Sequence, residues 1–106
     1  MAKYLLEVSY TLEGVKGVLA QGGSAREAAA KAAVESAGGK LEAFYFAFGD
    51  RDAVVIYDAP DNEAAAALGL TVAAGGGVTA KTTVLLTPAE VDKAASKKVG
   101  YTPPGK

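Results

Sequence analysis

The side chains in this sequence that could do chemistry are tyrosines, carboxylates and basic residues, because its 106 residues include no histidine and no cysteine. Without Cys there is no disulfide, thiolate nucleophile or iron–sulfur cluster. Without His there is no Ser–His triad and no imidazole ligand for zinc or haem. Asp50 and Asp52 are the first group that remains. Two carboxylates on one turn could hold Mg²⁺ or Ca²⁺, which prefer oxygen ligands. Arg51 stands between them and the ligands are too few for a dedicated cage, so no metal is expected. Asp and Gly also serve tight turns for backbone reasons alone. Lys3, Glu7, Glu42 and Lys81 are the second group. If these four pointed into a closed interior they would be functional, because unpaired buried charge is costly. Near strand ends they would reach water or form structural ion pairs. The third group is aromatic: Tyr4, Tyr10, Tyr45, Tyr57, Phe44, Phe46 and Phe48. A Tyr hydroxyl beside an apolar cavity can orient a ligand or donate a proton, whereas the Phe residues suit core and interface packing. The candidates for ligand binding are therefore Tyr10, Glu42, Tyr45 and Lys81, with Asp50 and Asp52 as turn or metal candidates.

Strands and helices must position these groups. From Lys3 to Tyr10, the residues Tyr4, Leu6, Val8 and Tyr10 alternate with Lys3, Leu5, Glu7 and Ser9, the period of a strand. Leu12, Val15, Val18 and Leu19 then fall at helical spacing over Thr11 to Gln21, and Gly22-Gly23 ends that short helix. Ser24-Ala25-Arg26-Glu27 reads as a capping box for a second, Ala-rich helix to Ala37, with Gly38-Gly39 as its left-handed exit. A second strand is expected over Leu41 to Phe48. Phe44, Phe46 and Phe48 share one face with Glu42, and Leu41, Ala43, Tyr45 and Ala47 take the other. A turn at Gly49-Asp50-Arg51-Asp52 leads to a third strand over Ala53 to Asp58. Asp61 or Asn62 caps the next helix, whose buried stripe is Ala64, Ala65, Leu68 and Val72 and which ends at the triple Gly of 75–77. Val78 to Leu86 is the fourth strand. Thr87-Pro88-Ala89-Glu90 then opens a C-terminal helix to about Lys98. One domain over 1–106 is expected, with a core of about 3–98 and a tail of 99–106.

This order is the βαββαβ pattern of a ferredoxin-like α+β fold: a four-stranded antiparallel sheet, helices on one face and an extra C-terminal helix. One helical layer covers one side of a sheet. Yet apolar residues fall on both faces of every strand, as in Leu5 beside Tyr4 and Ile56 beside Val55. An uncovered apolar face implies a partner, and the simplest is a second copy packed sheet to sheet as a dimeric α+β barrel or a higher homo-oligomer.

Composition narrows the partners further. The formal net charge is -1, which offers no footprint for nucleic acid. The longest uncharged run, Ala64 to Ala80, is punctuated by glycines and falls short of the roughly 18 apolar residues of a spanning helix. The N-terminus lacks a cationic region and a small-residue cleavage site, so neither a signal peptide nor a membrane partner is expected, and the plain reading is cytoplasmic. Gly22-Gly23-Ser24 could hold an anion at a helix start, but no P-loop or dinucleotide-binding glycine pattern surrounds it. No cofactor is expected.

The chain also resembles the GYD-domain family over nearly its whole length. The resemblance is carried by Lys3-Tyr4-Leu5-Leu6, by Tyr10-Thr11-Leu12-Glu13-Gly14-Val15-Lys16-Gly17 and by Gly38-Gly39-Lys40-Leu41-Glu42. It continues in Phe48-Gly49-Asp50-Arg51-Asp52, Ala59-Pro60-Asp61-Asn62 and Thr82-Thr83-Val84-Leu85-Leu86-Thr87. Gly49 and Asp52 match the residues that name the family, while Arg51 stands where Tyr is expected. The resemblance implies the same dimeric ferredoxin-like barrel and supplies no catalytic residues. The reading is therefore an oligomeric module that binds a small apolar or aromatic ligand near a sheet–sheet interface. The alternatives are a cofactor-independent isomerase or oxygenase using Tyr, Asp and Glu, and a structural assembly module.

Overall fold

A computed structural model describes residues 1–106. The elements are β1 (Ala2–Tyr10), α1 (Leu12–Gln21), α2 (Gly23–Ser36), β2 (Lys40–Phe46), β3 (Ala53–Ala59), α3 (Asn62–Ala74), β4 (Val78–Leu85) and α4 (Pro88–Ser96). The strands form one antiparallel sheet in the order β2-β3-β1-β4, the ferredoxin-like arrangement.

Alternation along β1 decides which face is buried. Tyr4, Leu6 and Val8 join Val55 and Tyr57 of β3, Val34 of α2 and Ala65 and Leu68 of α3 in the core. Leu5, Glu7 and Ser9 point to the opposite face, beside Val54, Ile56 and Asp58 of β3. Thr79, Lys81, Thr83 and Leu85 of β4 stand across from Ser9, Glu7, Leu5 and Lys3 on that same face. No helix covers it.

Three local expectations are corrected. The first concerns β2, whose register slips between Leu41 and Ala43. The extra residue puts Leu41 across from Tyr57 and Phe44 across from Val55, so both line the core face. Lys40, Ala43 and Tyr45 take the open face, and Glu42 leaves the Phe face to meet Lys3. A bulge inserts one residue and so inverts the strict parity that the sequence suggests. The second concerns Phe48. β2 ends at Phe46, and Phe48 lies in the connection to β3, fully exposed. The third concerns the start of α2. The helix begins at Gly23 with Gly22 as cap, and no side chain caps it, so the Ser24/Glu27 box does not form. The cause is backbone economy. Gly22, at φ 83°, ends α1 and starts α2 in one residue, which leaves Ser24 inside the first turn.

The other caps follow the sequence. Thr11 and Asp61 accept from the N–H groups of Gly14 and Ala64. Thr87 and Glu90 form a complete capping box, with Pro88 beginning α4. Gly38, at φ 84°, turns the chain out of α2. The next glycine, Gly39, sits so close to the Asp58 carbonyl that a Cβ would collide with it.

α4 stands apart from this body. All residues from 86 to 106 are exposed, and no helix or strand packs closely against α4. The radius of gyration is 16.9 Å, against about 13 Å for a compact chain of this length. The chain exposes 7199 Å², about 1,700 Å² more than the roughly 5,500 Å² expected of a folded monomer of its mass. No helix is long and apolar enough to cross a membrane.

Candidate functional site

The sheet's ends and faces separate the residues that sequence reasoning grouped together. Glu42 and Tyr45 lie on β2 and Lys81 on β4, the two edges of the sheet, about 14 Å apart by strand spacing. All three face the uncovered side. Tyr10 ends β1 on the other side, beneath the helices, as its place across from Val78 shows.

On the open face the charges are paired near one corner. Lys3 Nζ donates to Glu42 Oε1 at 2.7 Å and to Asp58 Oδ1 at 3.1 Å. These two bonds hold the Lys3 ammonium above the usual lysine range, the Glu42 bond counting most. Glu7 and Lys81 stand directly across from each other but form no ion pair within 4.0 Å. Between and beside the charges run Leu5, Val54, Ile56, Ala43, Tyr45 and Leu85, an apolar band with no covering element.

The turn carboxylates serve the backbone. Asp52 Oδ2 accepts from the Tyr10 N–H at 2.8 Å, while the Asp52 N–H donates to the Val8 carbonyl at 2.8 Å. The Ala47 N–H donates to the Asp52 carbonyl at 2.9 Å. Asp52 thus staples the β2–β3 connection to the end of β1. Asp50 is exposed and makes no side-chain hydrogen bond, and no group of three carboxylates gathers to hold a metal ion.

The staple also places Tyr10. Its ring lies 6.3 Å from that of Phe46, which meets Phe44 edge-on at 5.2 Å. Phe46 in turn presses on Gly23, leaving no room for a Cβ there. Tyr10 and Phe44 form one wall of a cavity of about 400 Å³ between the sheet and the helices. Leu6, Val8 and Val55 floor it, Leu68 and Val72 of α3 close one side, and α1 and α2 roof it. The roof is thin because the sequence makes it so. Arg26, Ala29, Ala30 and Ala33 fall at the i, i+3, i+4, i+7 spacing of one helix face, and three of the four carry only a methyl group. Gly14 and Gly17 of α1 present no side chain at all. Gly14 also meets Gly77 so closely that a Cβ would strike the Gly77 carbonyl. That approach brings Thr11 within reach of the same turn. Its N–H donates to the Gly77 carbonyl at 3.0 Å, and its Oγ1 donates to Gly76 at 2.8 Å.

Four polar side chains line this apolar pocket: Tyr10 and Arg26, which are half-buried, and Glu13 and Thr71, which are exposed. Burial pushes the Tyr10 phenol above its ordinary range, the nearby Arg26 opposes the shift, and Asp52 adds to it. At neutral pH Tyr10 is therefore a hydrogen-bond donor rather than a base. Sequence reasoning found Tyr10 but missed Arg26. The signal was present in the Arg26-to-Ala33 stripe, where one long cationic side chain shares a helix face with methyl groups.

A second buried phenol lies away from the cavity. Tyr57 stacks on Tyr4 with ring centroids 5.5 Å apart. The Tyr4 hydroxyl donates to Asn62 Oδ1 at 2.7 Å, but the Tyr57 hydroxyl is buried without a partner.

A family model described as GYD domain matches residues 4–95. No curated protein and no solved structure matches the chain.

Proposed function

The chain belongs to the GYD domain family, and from that premise and the geometry above we propose that it is a self-associating module that holds a small, largely apolar ligand. The supporting observation is the cavity of about 400 Å³ under the Ala and Gly roof, a volume in the range of small-molecule sites. Its lining has the character of such sites, apolar walls with a few convergent polar groups. The ligand site therefore moves from the sheet–sheet interface to the opposite side of the sheet. Of the four original candidates only Tyr10 belongs to it. Glu42, Tyr45 and Lys81 belong to the face where a second copy packs.

Titrating indole into the isotope-labelled protein tests this reading. The expected outcome is amide and methyl shifts centred on Ala29, Ala33, Leu68 and Val72. Ala30→Leu should fill the roof and suppress them. Shifts centred on Leu5, Ile56 and Tyr45 instead, or none at millimolar indole, overturn the cavity reading.

Self-association rests on separate support. The open band from Leu5 to Ile56 is uncovered, and the excess exposed area of about 1,700 Å² per chain matches what obligate dimers bury. We infer that the 86–106 arm adds to this interface. Leu86, Val91, Val99 and Tyr101 are exposed apolar residues along it, and a nine-residue helix without a surface to pack on is marginal in water. Of the groups that a cofactor-independent isomerase or oxygenase would use, Tyr10 can serve as a proton donor, but no buried carboxylate stands beside it as a base.

A further inference from the structure

We propose that the cavity under α1 and α2 takes a molecule with an apolar body and one anionic group, a carboxylate being the simplest, which Arg26 binds and the Tyr10 hydroxyl orients. This inference rests on the cavity being a ligand site, and adds the chemical class of its occupant.

Arg26 carries the argument. It is half-buried at the roof of the cavity, and no carboxylate lies within 4.0 Å of it, since the only ion pairs in the molecule are those of Lys3. A guanidinium drawn from water against apolar walls, with the Tyr10 hydroxyl as its polar neighbour and no carboxylate beside it, leaves its charge uncompensated. Its planar fork of donors matches a carboxylate in geometry as well as charge. The neighbouring polar groups agree with that assignment. Tyr10 keeps its proton and offers a second donor. The acceptors nearby are already engaged or lie outside: Asp52 is bound to the Tyr10 backbone, and Glu13 is exposed on α1 at the rim, where water screens it. The stripe fixes the polarity of the site. Arg26 marks one end of the roof, and Ala29, Ala30 and Ala33 run from it toward Val34 in the core. A ligand entering with its charge at Arg26 would lay its apolar body beneath these methyl groups, over Leu6 and Val55 and beside Val72.

Calorimetric titration of the full chain with octanoate and 1-octanol at pH 7.5 tests the inference, because the two probes share a chain length and differ in charge. Octanoate should bind at least about tenfold tighter, the ratio expected of one charge-assisted hydrogen-bonded contact. Arg26→Gln should abolish that preference by weakening octanoate at least about tenfold more than 1-octanol, and Arg26→Lys should retain part of it. Thermal melts of both variants confirm that they fold. Equal binding of the two probes to the native protein overturns the anionic class while the cavity reading stands. Binding of neither overturns both. An octanoate preference that survives Arg26→Gln removes Arg26 from the role.

Discussion

At the scale of single residues, the two stacked phenols of the core make opposite demands. Tyr4 finds Asn62, whereas Tyr57 buries a hydroxyl with nothing to bond. Burial holds the Tyr57 phenol above its ordinary range, and Tyr4 adds to the shift. A buried donor left unsatisfied costs about 1–3 kcal/mol. Tyr57→Phe is accordingly expected to raise stability by about 1 kcal/mol, while Tyr4→Phe lowers it by a similar amount, both read from urea midpoints at constant slope. Asp52 is the other residue with a measurable structural role. Asp52→Ala removes the acceptor of the Tyr10 N–H and should cost about 1–2 kcal/mol, with no dependence on added Mg²⁺ or Ca²⁺. Residue type alone made these aromatics and carboxylates legible in the sequence. Their partners were not legible, because Asn62 lies 58 positions from Tyr4 and Asp52 lies 42 from Tyr10.

At the scale of elements, alternation and capping chemistry revealed every helix and strand, but two departures from ideal geometry were hidden. The bulge after Leu41 rests on one extra residue, and nothing in Lys40-Leu41-Glu42-Ala43 marks which residue is extra. The Ser24 box was a valid local pattern displaced by Gly22, which serves two helices at once. Arg26 was passed over for a related reason, since a single cation in an Ala-rich helix reads as a solvated residue until the roof is seen. Gly14 shows a third kind of hidden constraint. It reads as a flaw in a short helix, yet the close approach to Gly77 requires it. Gly14→Ala should cost about 1–3 kcal/mol in a thermal melt, because the added methyl forces α1 away from the turn of 75–77. α4 responds to pH through its cap. The Glu90 carboxyl is held below its ordinary range by the Thr87 backbone N–H, with the Thr87 side chain contributing next. A lowered folded-state pKa means the contribution is complete above the unfolded value and is lost as pH falls through the folded one. Amide shifts of residues 89–96 should therefore report fraying of α4 on acidification below the ordinary glutamate range, before those of β1 and β3 change.

At the scale of the whole molecule, the hydrophobic half of the composition exceeds what one small body can hide. Part of the surplus lies on the open sheet face and along the 86–106 arm, and part on α1 at Leu12, Val15 and Leu19, the last two beside Phe46 and Phe48. Light scattering at micromolar concentration is expected to show a dimer or larger assembly. Ile56→Asp would place an unpaired charge in the shared layer, at a cost of roughly 3 kcal/mol or more, and should raise the dissociation midpoint at least about a hundredfold. A native chain that remains monomeric would leave the open face and the arm without the role assigned to them.

The extra residue in β2 has a further effect in concentrated solution. A straight, unbroken edge strand offers a row of free N–H and C=O groups on which identical chains can stack into fibres. β2 is such an edge, but its ladder is broken after Leu41, and Lys40 and Glu42 flank the break with charge. Growth along that edge is expected to be disfavoured by the backbone shape. The residue that inverts the face pattern is therefore expected also to protect one of the two sheet edges, β4 being the other.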